Sequence, residues 1–311
     1  MTTVPWFDLV RIGLSTGVEL DTVDIGPRSA PVLLFLHGFP ESHRTWRHQL
    51  AHFSDRFRCI APDQRGYRGS SKPPDVSDYR PGPLTADVFA LADALGVQRF
   101  TVVGHDWGGV IAWLVARDGQ PDGGDPARAG RVPRAVIANA PHPVVFQQLL
   151  LDDPVQRAAS QYVRAFRDPA NDALVREHGL VGLLKQAVRW DRPPALEPAD
   201  RDDLLAGWND PAAAFAMLNW YRASPIVFPA MDENPGQPAL LTEPFPTITI
   251  PTLVIWALDD RALPPANLDG LGRWVTQLRV SRVPDCGHFV PWEAPEAVVS
   301  AITDFLATTD A

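Results

Sequence analysis

Phe100-Thr101-Val102-Val103-Gly104-His105-Asp106-Trp107-Gly108-Gly109-Val110-Ile111-Ala112 reads as an apolar strand, a very tight turn and the start of a helix. Gly104 and Gly108 stand two residues before and two after Asp106. A chain that doubles back this sharply leaves no room for a Cβ against the strand or the helix, so glycine belongs at both places. Asp106 is presented at the tip.

An aspartate there changes the chemistry that a serine would bring. A serine attacks acyl carbon, whereas a carboxylate attacks an electrophilic sp3 carbon and forms an ester that water can cleave again. The expectation is alkyl transfer to Asp106 followed by hydrolysis, which suits epoxides or alkyl halides better than carboxylic esters. Asp106 as the N-cap of an ordinary helix leaves the flanking glycines without a purpose.

Outward from this turn the pattern is strand and helix in alternation. Residues 7–13 and 18–25 read as short strands around a turn at 15–17, and 32–36 is a continuous apolar strand of the kind buried on both faces. Then come a helix at 42–53, a strand at 58–61, a helix at 84–95 stopped by Gly96, and a strand at 99–103 that delivers the turn. A Gly, Pro and Asp cluster between 117 and 136 is an exposed loop, and 135–140 is a further strand. The order implies a parallel sheet with right-handed crossovers, whose ligand chemistry lies at the carboxyl ends of the strands.

From residue 144 the pattern changes. Helices are expected at 144–166, 171–190, 198–208 and 211–222, with no convincing strand among them. A Pro-rich stretch, 225–251, returns the chain to a strand at 252–256, a helix near 268–275, a strand at 278–283 and a helix at 296–306. Such an interruption reads as a lid inserted over the strand ends. The expected division is a core in two parts, 1–141 and 247–311, with a helical cap at 142–246.

Composition bounds the partners. The 311 residues are 45% hydrophobic and 21% charged, as in a globular protein, and the net charge of −9 disfavours nucleic acid and anionic membrane surfaces. No window approaches the ~20 apolar residues of a membrane span, and the first ten residues lack a basic segment followed by a long apolar one. Cys59 and Cys286 are far apart and form no C-x-x-C pair, so the expectation is a reduced, cytoplasmic protein. His48 and His52 share a helix face without an acidic ligand pattern and read as a surface pair, not a metal site. No metal or organic cofactor is implied, and monomer and homodimer are both left open.

A carboxylate nucleophile needs a base to activate water in its second step, and His288, in a loop after the last strand, is the candidate. Asp259 or Asp260, just past a strand end, can fix the imidazole tautomer. The order of nucleophile, acid and histidine is that of α/β-hydrolases. Trp107, the residue after the nucleophile, supplies one backbone N–H of an oxyanion hole by the logic of this turn.

Over nearly its whole length the sequence resembles the epoxide hydrolases of the α/β-hydrolase superfamily. The resemblance is carried by His37-Gly38-Phe39-Pro40-Glu41, by Asp63-Gln64-Arg65-Gly66-Tyr67 with Gly69-Ser70, by residues 104–109 and by Cys286-Gly287-His288-Phe289. It implies an eight-stranded, mostly parallel sheet with a helical cap after the sixth strand. The family pattern W-G-x-x-D-x-x-x-P falls on Trp256 to Pro264 and selects Asp260 as the acid, with Ala257 where the family has glycine. The resemblance also implies Phe39 N–H as the second oxyanion donor. Opening an epoxide leaves an alkoxide that needs a proton donor opposite the nucleophile. Tyr162 and Tyr221 stand in segments like those carrying the family's epoxide-polarising tyrosines.

Three rivals share the fold. A haloalkane dehalogenase needs two N–H donors around halide, and position 39 holds Phe where one such group has Asn. A haloacetate dehalogenase needs arginines shortly after the nucleophile, where Trp107 and Val110 stand. A catalytically silent small-molecule receptor would have no need of three filled catalytic positions.

Overall fold

The computed structural model describes residues 6–187 and 197–308 of the chain. Eight strands form one sheet: β1 (Val10–Gly13), β2 (Glu19–Ile25), β3 (Val32–Leu36), β4 (Arg58–Pro62), β5 (Thr101–His105), β6 (Ala135–Ala138), β7 (Thr252–Ala257) and β8 (Leu278–Val283). Their spatial order is β1-β2-β4-β3-β5-β6-β7-β8. The first two strands pair antiparallel and β4 to β8 pair in parallel.

The helices are α1 (Arg47–Phe53), α2 (Pro81–Ala94), α3 (Asp106–Gly119), α4 (Pro143–Asp152), α5 (Pro154–Ala159), α6 (Tyr162–Arg167), α7 (Asp172–Ala187), α8 (Pro198–Asn209), α9 (Pro211–Ala223), α10 (Ala239–Thr242), α11 (Val290–Glu293) and α12 (Pro295–Thr308). Alternate residues along each central strand feed two cores. Leu34, Leu36, Val102, Ile137 and Val254 pack with α2 and α3. Leu33, Phe35, Val103, Val136 and Ile255 pack with α1 and α12. Covering both faces is what makes these strands apolar throughout rather than alternating. The edge strands β1 and β8 keep several residues exposed.

Helices α4 to α10 all lie between β6 and β7 in the chain. The helices of the chain differ from expectation in several places. The single helix expected at 144–166 is three helices, because Pro154 opens α5 with Asp153 capping the N–H of Val155, and a second turn follows Ser160. The helix expected at 171–190 is α7, bent at Gly179 with φ 64°, and Trp190 lies outside the described residues. The helix expected at 268–275 is absent. Two 3-10 turns, Pro265–Leu268 and Leu271–Arg273, flank Gly270, whose φ of 77° breaks α-helical geometry.

Polar anchors hold this helical segment on the strand ends. Asp200 of α8 is buried between Arg44 and Arg47, and Asp203 pairs with Arg68. Losing one member of such a buried set leaves an uncompensated charge, a cost of about 3–5 kcal/mol. The Trp220 indole N–H of α9 donates to the Arg65 carbonyl at 3.0 Å. Among the described residues no helix is long and apolar enough to cross a membrane.

Candidate active site

Asp106 sits between β5 and α3 with φ 49°, in the left-handed region. That conformation costs an L-residue about 1–2 kcal/mol and persists only where the surroundings impose it. Here a Cβ on Gly104 would lie 2.4 Å from the Gly108 carbonyl oxygen, and one on Gly108 would lie 2.2 Å from that of Leu36. The turn is therefore as tight as the two glycines predict. The Phe39 N–H donates to Asp106 Oδ1 at 2.7 Å. Trp107 N–H lies in the first turn of α3, and among the bonds of the described residues none joins it to Asp106.

His288, after β8, places Nδ1 2.7 Å from Asp260 Oδ2 and Nε2 3.5 Å from Asp106 Oδ2. Asp260 is buried, and its other oxygen accepts the N–H groups of Ala262 and Leu263, each at 2.9 Å. Asp259 is exposed. Of the two candidate acids the structure brings Asp260 to the imidazole. Asn139, at the end of β6, donates to Asp260 Oδ2 at 2.8 Å and accepts the Ala257 N–H at 2.8 Å. That bond holds the strand end where the family pattern has glycine, and Ala257 needs no positive φ.

Further residues support His288 without being signalled as a group by the sequence. The His288 carbonyl oxygen lies 2.9 Å from His105 Nε2, and His105 Nδ1 lies 2.7 Å from Glu41 Oε2. The His105 ring thus lies between a backbone carbonyl and a carboxylate. Glu293 accepts the N–H groups of Gly287 and Phe289, one on each flank of His288. His105 adjoins the nucleophile and Glu41 lies in the His37-Gly38-Phe39-Pro40-Glu41 run, the one sequence signal that could have found them. Glu293 and Asn139 carried none.

These contacts set the charges. Withdrawal from water alone would push the Asp106 carboxyl up, but the His288 hydrogen bond and charge, the His105 charge and the Phe39 N–H outweigh it and hold the carboxyl below its usual range. Burial alone would favour a neutral His288 ring, and the carboxylates of Asp260 and Asp106 overcome that and raise it well above the ordinary imidazole value. The resting site is an imidazolium between two carboxylates.

A cavity of about 840 Å³ opens over Asp106 and His288. Phe39, Phe166 and Leu184 give it an apolar wall, and Tyr162 and Tyr221 line it as well. The two tyrosine rings lie 6.4 Å apart, and the Tyr221 ring meets Phe39 at 4.9 Å and Trp107 at 5.0 Å. Burial, with the charge of Asp106 adding to it, pushes both phenols well above 10. Both are neutral O–H groups lining one cavity with the Asp106 carboxylate. Among the described residues no three His, Cys, Asp or Glu side chains are grouped to hold a metal, and His48 and His52 lie on α1, outside the cavity lining.

Residues 31–295 match a family model described as alpha/beta hydrolase fold. The AB hydrolase superfamily protein YfhM of Bacillus subtilis (strain 168) is 30% identical over 294 residues, 94% of this chain and 96% of that one. Epoxide hydrolase 3 of Xenopus tropicalis is 29% identical over 302 residues, 94% of this chain and 75% of that one. A solved structure described among novel epoxide hydrolases from metagenomes of hot environments is 64% identical, with a TM-score of 0.91 over 97% of this chain and 99% of that one. A mutant epoxide hydrolase from Bacillus megaterium, complexed with its product (R)-3-[1]naphthyloxy-propane-1,2-diol, is 28% identical with a TM-score of 0.82, over 96% of this chain and 100% of that one.

Proposed function

The chain belongs to the α/β-hydrolase fold family and is one of its epoxide hydrolases, and we propose that it converts epoxide and water to a vicinal diol in two covalent steps. The observation that carries this reading is the placement of two phenol donors in the same cavity as a carboxylate nucleophile. In the first step Asp106 attacks one ring carbon while Tyr162 and Tyr221 hydrogen-bond the ring oxygen. The C–O bond breaks, and the alkoxide takes a proton from a tyrosine. Asp106 is now a neutral ester.

Alkylation readies the base for the second step. His288 held its proton against two carboxylates, and with one of them esterified that hold weakens. The proton passes through cavity water to the tyrosinate, leaving a neutral imidazole oriented by Asp260. His288 then takes a proton from water, and hydroxide adds to the Asp106 carbonyl carbon. The N–H groups of Phe39 and Trp107 hold the oxyanion that forms. Collapse expels the diol and restores the carboxylate. Residues 142–246 act as the cap that supplies the tyrosines and excludes bulk water. The substrate is a small-molecule epoxide, and the unlinked Cys59 and Cys286 thiols suit a cytoplasmic location.

Purified protein supplied with styrene oxide yields phenylethanediol and releases no halide from chloro- or bromoalkanes of similar size. Halide release without epoxide opening would overturn the reading in favour of a dehalogenase. Ligand-dependent thermal stabilisation with neither reaction would point to a receptor.

A further inference from the structure

Trp208 is one of ten tryptophans, and nothing in its sequence neighbourhood separates it from ordinary packing. In the fold its indole N–H, on α8, donates to the Pro40 carbonyl at 2.6 Å. Pro40 is the residue after Phe39, whose N–H faces Asp106. The turn from Gly38 to Glu41 is closed on itself by Glu41 N–H to the Gly38 carbonyl at 3.1 Å and by Gly38 N–H to Glu41 Oε2 at 3.2 Å. A displacement of the Pro40 carbonyl therefore carries the Phe39 peptide with it. Helix α8 is itself fixed to the core through Asp200 with Arg44 and Arg47, and through Asp203 with Arg68. The void between Trp208, Pro40, Glu41 and Tyr67 is only about 10 Å³, room for one water at most.

We infer that Trp208 is a positioning residue that sets the oxyanion hole from the helical segment, by holding the Pro40 carbonyl and with it the Phe39 N–H. The inference rests on the two-step reading above, and it separates the two steps. During alkylation the carboxylate of Asp106 loses charge, so a hole aimed at its oxygen gives no assistance. During hydrolysis the same oxygen becomes an oxyanion, and the hole carries the developing charge. Removing an oxyanion donor outright costs about 10²–10³-fold, and shifting one costs less, about tenfold.

The test is rapid-quench kinetics on Trp208→Phe and on a second variant with 3-benzothienylalanine at 208, which keeps the shape of the indole and removes only its N–H. In both, hydrolysis of the alkyl-enzyme slows about tenfold, while alkylation stays within about twofold of the wild type. The acid limb of alkylation moves to higher pH, because Asp106 loses part of the N–H stabilisation that keeps it ionised. Equal slowing of both steps with an unmoved acid limb overturns the inference and makes Trp208 a packing residue, and so does an unchanged profile in both variants. Absence of an alkyl-enzyme in the wild type would instead sink the two-step reading, and the acid limb then decides for or against Trp208 alone.

Discussion

With His288→Gln, one equivalent of epoxide is consumed per protein molecule and stays attached to Asp106, while diol release falls by about 10³-fold or more. The asymmetry follows from where the proton sits. In the resting site His288 is an imidazolium, so it is no base for the first step and contributes there only charge and a hydrogen bond to Asp106. Asp106 keeps the Phe39 N–H and the His105 charge in the variant, and remains a nucleophile. The second step loses the base assigned to it. Gln fills the space of the ring and leaves Asp260 a donor to accept. Intact mass spectrometry reads a species one substrate heavier, and peptide mapping places it on Asp106. In the wild type both steps weaken as pH falls, each through its own group. Alkylation is lost only as pH falls through the lowered Asp106 value, whereas hydrolysis of the ester rises with pH as His288 deprotonates. An adduct on another residue, or equal loss of both steps, contradicts the assigned order.

Replacing both tyrosines, Tyr162→Phe with Tyr221→Phe, slows alkylation by about 10³-fold and leaves hydrolysis of the preformed ester within a few-fold. The ring oxygen is expelled as an alkoxide, and without the two phenols no assigned donor gives it a proton. Both phenols are held neutral by burial, so each arrives with its proton in place. The ester's hydrolysis is assigned to His288 and the Phe39 N–H and does not use them. Phe keeps the aromatic packing against Phe166. Stopped-flow tryptophan fluorescence with a slow epoxide resolves the two phases. Equal slowing of both would assign the tyrosines to packing.

The parts legible in the sequence are those encoded locally. The apolar run of β3 has the expected bounds, because continuous hydrophobicity between turn residues specifies a buried strand. The Asp106 turn was legible because two close backbone approaches exclude every side chain at Gly104 and Gly108. The helix boundaries near 153 and 270 were missed for one reason: the apolar spacing continued across them, while Asp153-Pro154 and Gly270 stopped the backbone. Asn139, Glu41 and His105 act through bonds to backbone or carboxylate atoms distant in the chain, and Glu293 through irregular loop backbone close by, and no periodicity records such contacts. Trp208 is of the same kind, since its partner lies 168 residues away.

The central claim is that Asp106 itself carries the substrate and is regenerated through its own carbonyl carbon. A single turnover in H₂¹⁸O, with enzyme in excess over epoxide, tests it most directly. The account predicts one ¹⁸O atom in the Asp106 carboxylate and none in the first diol released. A labelled diol from an unlabelled Asp106 would mean that water attacks the epoxide directly, and would contradict it.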